Sequence, residues 1–433
     1  MMKYDTDDIL KCAVDIGLDP FPTDFHTVPA NVLYDIAARG LPGRYSHWSH
    51  GKEFYDGITR HDYRFGRIYE LVINSNPCQA FLLDTNSDII NLMIKAHVYG
   101  HSDFFKNNRV FEGTDRESHI NVPMRAERIK NYEEIYGEDE VRKVIDHALT
   151  VEFYVDQKGF QEKIKEDKNN NTNRLSKNEE YNDILNIDKD QKIERKSYEE
   201  KMRYKGLPCN DILSFLIKEA PVEDWQKDIM SIVRLDGLQF IPQIKTKIAN
   251  EGWASFVHQK IMRQLDIPDA DFMEYAQENA NVVSAHSYSL NPYWLGLQIC
   301  RDIEEKYGMD ELLKVRRLET DASFLRNYLT EELVEKLGLI RFAEDGRYYV
   351  VQTTEWEKIR DGLINDLTDR FPDIQIVDKN YDNKGELYLK HNHNGKDLKK
   401  HDAIKVLKHL RELWKRDVYL ETYYNNKPEI WKS

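Results

Sequence analysis

Cysteine is scarce in this sequence. The 433 residues contain four cysteines, scattered along the chain, at Cys12, Cys78, Cys209 and Cys300. No two of them form a C-x-x-C pair, and their spacing does not indicate a disulfide framework. Such cysteine usage favours a protein of a reducing compartment.

Long apolar runs and an excess of basic residues are also missing. No apolar run reaches the length of a membrane span, and the first eight residues carry acids where a signal peptide would need a basic patch. The formal net charge is −14, from 62 basic and 76 acidic residues. This charge argues against a broad nucleic-acid interface and against docking on anionic membranes. We therefore expect a cytoplasmic protein without a membrane span and without a nucleic-acid partner.

Several common catalytic motifs are absent from the sequence. There is no G-x-S-x-G elbow, no P-loop and no G-x-G-x-x-G fingerprint. Cys78 follows Asn-Pro in a predicted turn and could be a nucleophile near His97. A buried structural cysteine is the more common case.

A strand–turn–strand pattern leads into the most informative segment. Residues 67–77 and 80–84 are predicted strands. Residues 88–96 are mostly apolar, lack glycine and proline, and follow Asn86 and Ser87, which are candidate N-caps. This pattern predicts a mostly buried helix.

Two histidines lie at the end of this predicted helix. His97 and His101 are four residues apart, which puts both imidazoles on one helical face, where they could bind one metal ion. Val98 occupies the place of the glutamate in the H-E-x-x-H motif of proteases. Two hydrogen-bonded core histidines are the alternative, and the pair by itself leaves both interpretations open.

A second polar pattern lies on a helix predicted from Pro242 to about Leu265. The residues of one helical stripe are Ile244, Ile248, Glu251, Ser255 and His258. An acid and a histidine on an otherwise apolar stripe are costly unless they are paired or bound to something. A buried Glu–His pair is one interpretation, and a ligand site is the other.

The two patterns together fit a zinc site of the peptidase type, which uses two histidines from one helix and a carboxylate from another. We predict that His97, His101 and Glu251 bind a divalent metal ion, with zinc as the expected ion. His258 would be an acid/base group, an oxyanion stabiliser or a fourth ligand. The sequence does not place the general base, for which the candidates are Asp103, Glu70 and Glu251.

Other polar residues could orient a polar substrate. These predicted substrate-binding residues are His47, Asn74, Asn76, Lys106 and Asn108. His47 and His50 flank Trp48 and could line the same pocket, as substrate or supporting groups rather than as ligands.

The predicted fold class is α+β, with a mainly helical, metallopeptidase-like N-terminal and central region. The expected division of the chain is 1–158, a charged and partly disordered insertion at 159–200, a helical part at 201–330, and a small α+β domain at 331–433. His391 and His393 are expected at a solvent-facing hairpin tip.

Several long motifs closely resemble the stage V sporulation protein R (SpoVR) family. The motif segments are 44–52, 69–77, 96–108, 250–258 and 290–296. The resemblance implies a cytoplasmic protein, of the mother cell in spore formers, that is required for cortex peptidoglycan. Relatives also occur in bacteria that do not sporulate. Asn279 departs from the family pattern, which has a histidine at this place.

The resemblance also implies possible partners, because genes of the family often accompany a PrkA-type serine kinase and a von Willebrand-like protein. The segment Asn250–Ala254 is similar to the N-E-G-x-A segment that carries the glutamate ligand in gluzincin peptidases. Two functions therefore remain open. One is a metal-dependent hydrolase or amidase with a peptidoglycan-related or peptide substrate, and the other is a non-catalytic regulator or scaffold.

Overall fold

The computed structural model describes residues 6–62, 70–155, 207–285, 290–345, 348–368 and 371–433. The chain divides into two compact units, each built from two stretches. The first unit comprises Met1–Lys130 and Gln239–Arg370, and the second comprises Asn131–Leu238 and Phe371–Ser433. The boundary predicted near residue 331 lies inside the first unit. The predicted insertion at 159–200 lies outside the described residues.

Helices dominate the described part of the chain. In chain order, the helices are α1 (Thr6–Asp15), α2 (Ala30–Arg39), α3 (Trp48–Asp62), α4 (Asp88–Asn107), α5 (Ser118–Tyr136), α6 (Glu138–Leu149), α7 (Ile212–Glu219), α8 (Asp224–Lys245), α9 (Lys247–Gln264), α10 (Asp269–Val282), α11 (Pro292–Tyr307), α12 (Met309–Leu318), α13 (Asp321–Tyr328), α14 (Glu331–Leu337), α15 (Trp356–Thr368) and α16 (Lys400–Trp414). None of them is both long enough and apolar enough to cross a membrane.

The strands form small sheets. They are β1 (Thr23–Val28), β2 (Glu70–Ile73), β3 (Cys78–Leu83), β4 (Arg341–Asp345), β5 (Tyr348–Thr353), β6 (Ile374–Tyr381), β7 (Glu386–His391), β8 (Val418–Tyr424) and β9 (Lys427–Lys432). The described residues therefore confirm the predicted α+β class.

The first unit contains a three-stranded sheet, and its strand β3 is followed by α4. β3 lies in the middle, antiparallel to β2 and parallel to β1. The strand–turn–strand prediction is thus confirmed, whereas the pairing with β1 was not predicted. Ser87 caps α4, since its side chain accepts a hydrogen bond from the backbone N–H of Ile90.

The core of the first unit is built around α4, α9 and α11. Nearly all of α4 from Ile89 to Phe105 is buried, as is most of α9. A helix that is covered on every side must bury its polar residues as well as its apolar ones. The polar residues of these two helices therefore lie inside the protein, where each needs a partner.

The predicted start of the helix that carries Glu251 and His258 was wrong. Pro242 lies inside α8, and α9 begins only at Lys247. Asp321 from the start of α13 caps α9, because its carboxylate accepts hydrogen bonds from the backbone N–H groups of Ile248 (3.0 Å) and Ala249 (2.9 Å). Ile244 consequently belongs to a different helix from the rest of the predicted stripe.

The second unit contains a four-stranded sheet in the order β6–β7–β8–β9. β7 and β8 are parallel, and α16 connects them. His391 was predicted at an exposed hairpin tip, and this was wrong. It is buried at the end of β7, and its Nδ1 lies 2.8 Å from the Thr422 hydroxyl. A parallel crossover through a helix replaces the expected hairpin.

Candidate metal centre

Two histidines of α4 and a glutamate of α9 meet in the core of the first unit. The Oε2 atom of Glu251 lies 3.5 Å from Nε2 of His97 and 3.4 Å from Nε2 of His101. The side chains of both histidines are more than 90% buried. The structure thus brings together the three residues predicted as metal ligands, from segments 150 residues apart.

Glu70, at the first position of β2, joins the same cluster. Glu70, His97 and His101 each offer one ligand atom, and these atoms lie within 4.8 Å of one another. In the described part of the chain, this trio is the group of acids, histidines and cysteines that meets the distance requirement of a metal site. Of the three candidates for the general base, Glu70 and Glu251 face the histidines.

The cluster contains buried polar atoms without a hydrogen-bond partner among the described residues. They include His97 Nε2 and Glu251 Oε2, which face each other. Leaving a buried polar atom unpaired costs about 1–3 kcal/mol, and such atoms are rare in native proteins. A cation between the imidazoles and the carboxylates would satisfy them, so the residues present fit a divalent metal.

The opposite side of each imidazole ring is held by a hydrogen bond. Nδ1 of His101 lies 3.0 Å from Oδ1 of Asn250. Nδ1 of His97 lies 3.0 Å from Nδ1 of His258, whose Nε2 lies 2.8 Å from Oδ1 of Asn279. This arrangement is typical of metal-ligating histidines, which bind through one nitrogen and are oriented through the other.

This geometry excludes one of the roles predicted for His258, that of a fourth metal ligand. Both of its ring nitrogens are occupied, one by His97 and one by Asn279. It therefore has no free nitrogen to serve as a fourth ligand, and it supports His97 from behind.

The electrostatics of the cluster favour the charged form of the Glu251 carboxylate. Burial raises the pKa of Glu251, but the imidazoles of His101 and His97 outweigh burial and hold this pKa far below its usual range. Burial lowers the pKa of His101, but the opposing effect of Glu251 is larger, so that the net pKa of His101 is raised. Burial and the neighbouring His97 lower the pKa of His258 to about 3. Burial raises the pKa of Glu70, against the effect of both histidines.

Tyr293, near the start of α11, is a site residue that the sequence interpretation missed. Its ring stacks on that of His97 with centroids 6.1 Å apart. The charge of Glu251, burial, and a hydrogen bond to Glu251 raise its pKa well above the ordinary value, so its hydroxyl stays protonated. The only signal in the sequence was its place in the Leu290–Gly296 motif.

Asp103 lies in a different environment from the other candidates. Its carboxylate accepts hydrogen bonds from the backbone of Asp19 (2.8 Å), the indole of Trp253 (3.0 Å) and the guanidinium of Arg316 (2.5 Å). It is fully buried. The carboxylate thus ties α4 to α9, α12 and the loop between α1 and β1, and none of these described contacts is with the metal cluster.

The predicted substrate-binding residues near α4 are also engaged in structural contacts. Asn108 caps the next turn and donates to the carbonyls of Arg316 (2.8 Å) and Glu319 (2.9 Å). Lys106 donates to Asp19 (2.6 Å). These contacts connect the end of α4 to neighbouring loops, and the structure does not bring these two side chains to the cluster.

Asn74 and Asn76 lie in the turn between β2 and β3. Asn74 is buried, donates to Thr114 (2.8 Å) and accepts from Arg116 (3.0 Å). Asn76 is exposed and precedes a cis proline. The side chain of Asn74 thus contacts the loop that follows α4 and not the histidines.

His47 and Cys78 have other surroundings. His47 lies at the start of α3, with Nδ1 2.7 Å from the Ser49 hydroxyl, and its ring packs beside Trp48 and His50. Cys78 is buried, and burial raises the pKa of its thiol to about 12. A thiol with this pKa is a poor nucleophile, which supports the structural interpretation of Cys78.

Comparison with known proteins identifies the family. The profile described as "SpoVR like protein" matches residues 1–371, and the profile described as "SpoVR-like C-terminal domain" matches residues 372–425. The chain belongs to the SpoVR family. Both the histidine pair on α4 and the Asn250–Ala254 segment of α9 lie within the part matched by the first SpoVR profile.

A curated relative supports this assignment along most of the chain. The protein named "Uncharacterized protein YcgB" from Escherichia coli (strain K12) is 32% identical over 455 residues, which cover 93% of this chain and 88% of the relative. No solved structure matches the chain.

Proposed function

We propose that this SpoVR-family protein is a zinc-dependent hydrolase of the amidase or peptidase type. The observation that carries the proposal is the convergence of His97 Nε2, His101 Nε2 and Glu251 Oε2, of which His97 Nε2 and Glu251 Oε2 lack a hydrogen-bond partner among the described residues. Two imidazoles and a carboxylate are the ligand set of zinc hydrolases, in which water or substrate takes a further position.

The choice of zinc follows from the donor atoms. Imidazole nitrogen suits zinc, copper, iron and nickel, whereas magnesium and calcium prefer sites made of oxygen alone. When bound, the cation would act as a Lewis acid on a carbonyl oxygen and on water. The neighbouring side chains would supply the proton transfers and the hydrogen bonds.

Glu70 is the proposed general base. It lies beside both histidines, and its raised pKa brings its carboxylate closer to the range in which a base works at neutral pH. Its carboxylate would accept a proton from the attacking water. Tyr293 stays protonated and would donate a hydrogen bond to the oxygen on which negative charge develops.

The proposed biological role is in forming the spore cortex, with the protein in the cytoplasm of the mother cell. Membership of the SpoVR family supports this proposal, and a peptidoglycan-related or peptide amide is the proposed substrate. A PrkA-type serine kinase and a von Willebrand-like protein are proposed partners in the same system.

The hydrolase proposal is tested by release of free amines from cortex peptidoglycan and its muropeptides. The zinc-loaded wild type should release amines, and a chelator should abolish the release. Glu70→Gln should retain bound zinc and lose at least about 100-fold in rate, because it removes a general base and leaves the ligands in place. Glu251→Gln should lose both zinc and rate.

Two results would revise this proposal. Loss of zinc from Glu70→Gln would make Glu70 a ligand and leave the base unassigned. Absence of both zinc and hydrolysis in the wild type would contradict the hydrolase and favour the regulator or scaffold. The latter predicts stable co-purification with the kinase or the von Willebrand-like protein, even in a His97→Ala/His101→Ala double variant.

A further inference from the structure

A row of hydrogen-bonded side chains extends from His97 away from the metal cluster. It passes through His258 and Asn279 to Gln259 and ends at Arg301. The distances are 3.0 Å from His97 Nδ1 to His258 Nδ1, 2.8 Å from His258 Nε2 to Asn279 Oδ1, 3.1 Å from Asn279 Oδ1 to Gln259 Nε2, and 2.6 Å from Gln259 Oε1 to Arg301 Nη2. The row joins α4, α9, α10 and α11.

At the far end of the row, the chemistry of arginine fixes which atoms donate hydrogen bonds and which accept them. Arginine has N–H donors and no acceptor, so the atom of Gln259 that faces Arg301 must be its oxygen. The amide nitrogen of Gln259 then faces Asn279, so the atom of Asn279 at that contact must be an oxygen acceptor. Arg301 thereby fixes the orientation of both amides.

The orientation of the Asn279 amide also determines which nitrogen of His258 carries the proton. Oδ1 of Asn279 accepts hydrogen bonds, so Nε2 of His258 must carry the proton. A neutral imidazole has one N–H and one lone pair, and Nδ1 of His258 is therefore the acceptor. The Ala254 carbonyl also lies beside this ring. A proton on Nδ1 directed at that carbonyl would leave two lone pairs facing each other at 2.8 Å between His258 and Asn279.

The last link is His97. Because Nδ1 of His258 accepts, Nδ1 of His97 must donate. The nitrogen of His97 that is left to face the cluster is Nε2, the buried atom 3.5 Å from Glu251. That nitrogen is the one a cation in the cluster needs.

We propose that Asn279, oriented by Gln259 and Arg301, is a positioning residue that holds a proton on Nδ1 of His97 and so leaves Nε2 as the nitrogen that can bind a cation. Asn279 makes no contact with the cation site itself and acts through His258. The significance of this tautomer for metal binding rests on the proposed function, whereas the tautomer itself can be observed without metal.

The tautomer is tested by ¹⁵N NMR of the metal-free full-length protein, labelled with ¹⁵N-histidine and assigned with single histidine variants. In the wild type, His97 should carry a proton on Nδ1. Asn279→Leu removes the acceptor, so His258 is free to donate from Nδ1 to Ala254, and His97 should shift toward the Nε2–H tautomer. Asn279→Asp keeps an oxygen acceptor and should preserve the wild-type tautomer. Asn281→Leu, an exposed position on the same helix, is the matched control.

Zinc affinity is the second readout, measured by competition with a chelating dye. Asn279→Leu should weaken binding about 10- to 100-fold, the usual effect of removing an outer hydrogen-bond partner of a ligating histidine. Asn279→Asp and Asn281→Leu should stay within about 3-fold of the wild type, well below that usual effect. Arg301→Met acts at the far end of the same row and should weaken binding in the same direction, which keeps the test informative if Asn279→Leu misfolds.

The inference is overturned if Nδ1 of wild-type His97 carries no proton. It is also overturned if Asn279→Leu and Arg301→Met leave both tautomer and affinity unchanged. A wild type with the predicted tautomer but without zinc binding would instead contradict the proposed function and leave the role of Asn279 in fixing the tautomer intact.

Discussion

Buried charges serve two different purposes in this protein at the scale of single residues. Glu251 faces two histidines, and its Oε2 has no hydrogen-bond partner among the described residues, which is the arrangement expected of a ligand site. Asp103, two residues after His101, receives donors from the backbone and from Trp253 and Arg316. Its oxygens are occupied, and it acts as an anchor between helices.

Replacing Asp103 should therefore reduce stability and spare the cluster. In Asp103→Ala, the buried guanidinium of Arg316 loses its carboxylate, and breaking such a buried pair costs about 3–5 kcal/mol. The free energy of unfolding, measured with urea, should fall by this amount, while zinc stoichiometry of the folded fraction stays at the wild-type level. Lys106→Ala, which removes a pair with the exposed Asp19, is the control and should cost no more than about 1 kcal/mol. Loss of zinc without loss of stability in Asp103→Ala would assign Asp103 to the site after all.

His50 predicts a pH effect on stability that is independent of the metal cluster. Burial, together with Arg44 and His47, lowers its pKa from 6.5 to about 4 in the folded chain. Between these values the unfolded chain binds a proton that the folded chain does not, so stability falls as the pH falls. From pH 7 to pH 5 the wild type should lose about 2 kcal/mol more than His50→Gln. Parallel pH profiles of urea unfolding for the two proteins would contradict the buried neutral state of His50.

At the scale of elements, glycines allow the three site-bearing helices to approach each other closely. A Cβ on Gly252 of α9 would lie 2.3 Å from a backbone carbon of Gly296 on α11. A Cβ on Gly100 of α4 would lie 2.7 Å from the Cα of Ala254. Gly252 follows Glu251 directly, and Gly100 precedes His101. The close approaches therefore set the positions of the ligands.

Gly252→Ala should disturb both stability and the site. The methyl group would push α9 away from α11, and overpacking of this kind costs about 1–3 kcal/mol. Because Glu251 is the adjacent residue, zinc affinity should fall as well. Gly51→Ala in α3, where a Cβ would lie within 4 Å of no atom of the described residues, is the matched control and should stabilise the helix by about 0.5–1 kcal/mol. Wild-type stability in Gly252→Ala would contradict the described helix contact.

Local patterns in the sequence were sufficient for α4 and for its cap. The apolar run and Ser87 are short-range signals, and the structure agrees with both. The start of α9 could not be predicted from local patterns, because the carboxylate that caps it belongs to Asp321, over 70 residues downstream. The parallel pairing of β1 with β3 was missed for the same reason: it joins segments that are far apart in sequence.

At the scale of the whole molecule, the cluster is assembled within the first unit from its two stretches. β2 and α4 come from the N-terminal stretch, and α9, α10 and α11 come from the stretch that begins at Gln239. The spacing of His97 and His101 and the Asn250–Ala254 motif predicted which side chains would meet, and their role as metal ligands stays a prediction. The roles of Tyr293 and Asn279 depend on side-chain orientation across helices, which spacing along a chain does not encode.

The central claim is that His97, His101 and Glu251 bind a divalent cation, and metal stoichiometry tests it most directly. The full chain would be purified without chelators or affinity metals and analysed by inductively coupled plasma mass spectrometry. His97→Ala/His101→Ala would be analysed beside it. The matched control is His147→Ala, in which the replaced histidine pairs with His409 at 2.8 Å in the second unit.

The expected result is about one zinc ion per chain in the wild type and in His147→Ala, and none in the double variant, because two of the three ligands are gone. A folded wild type that binds no divalent metal, even after incubation with zinc, would contradict the metal centre.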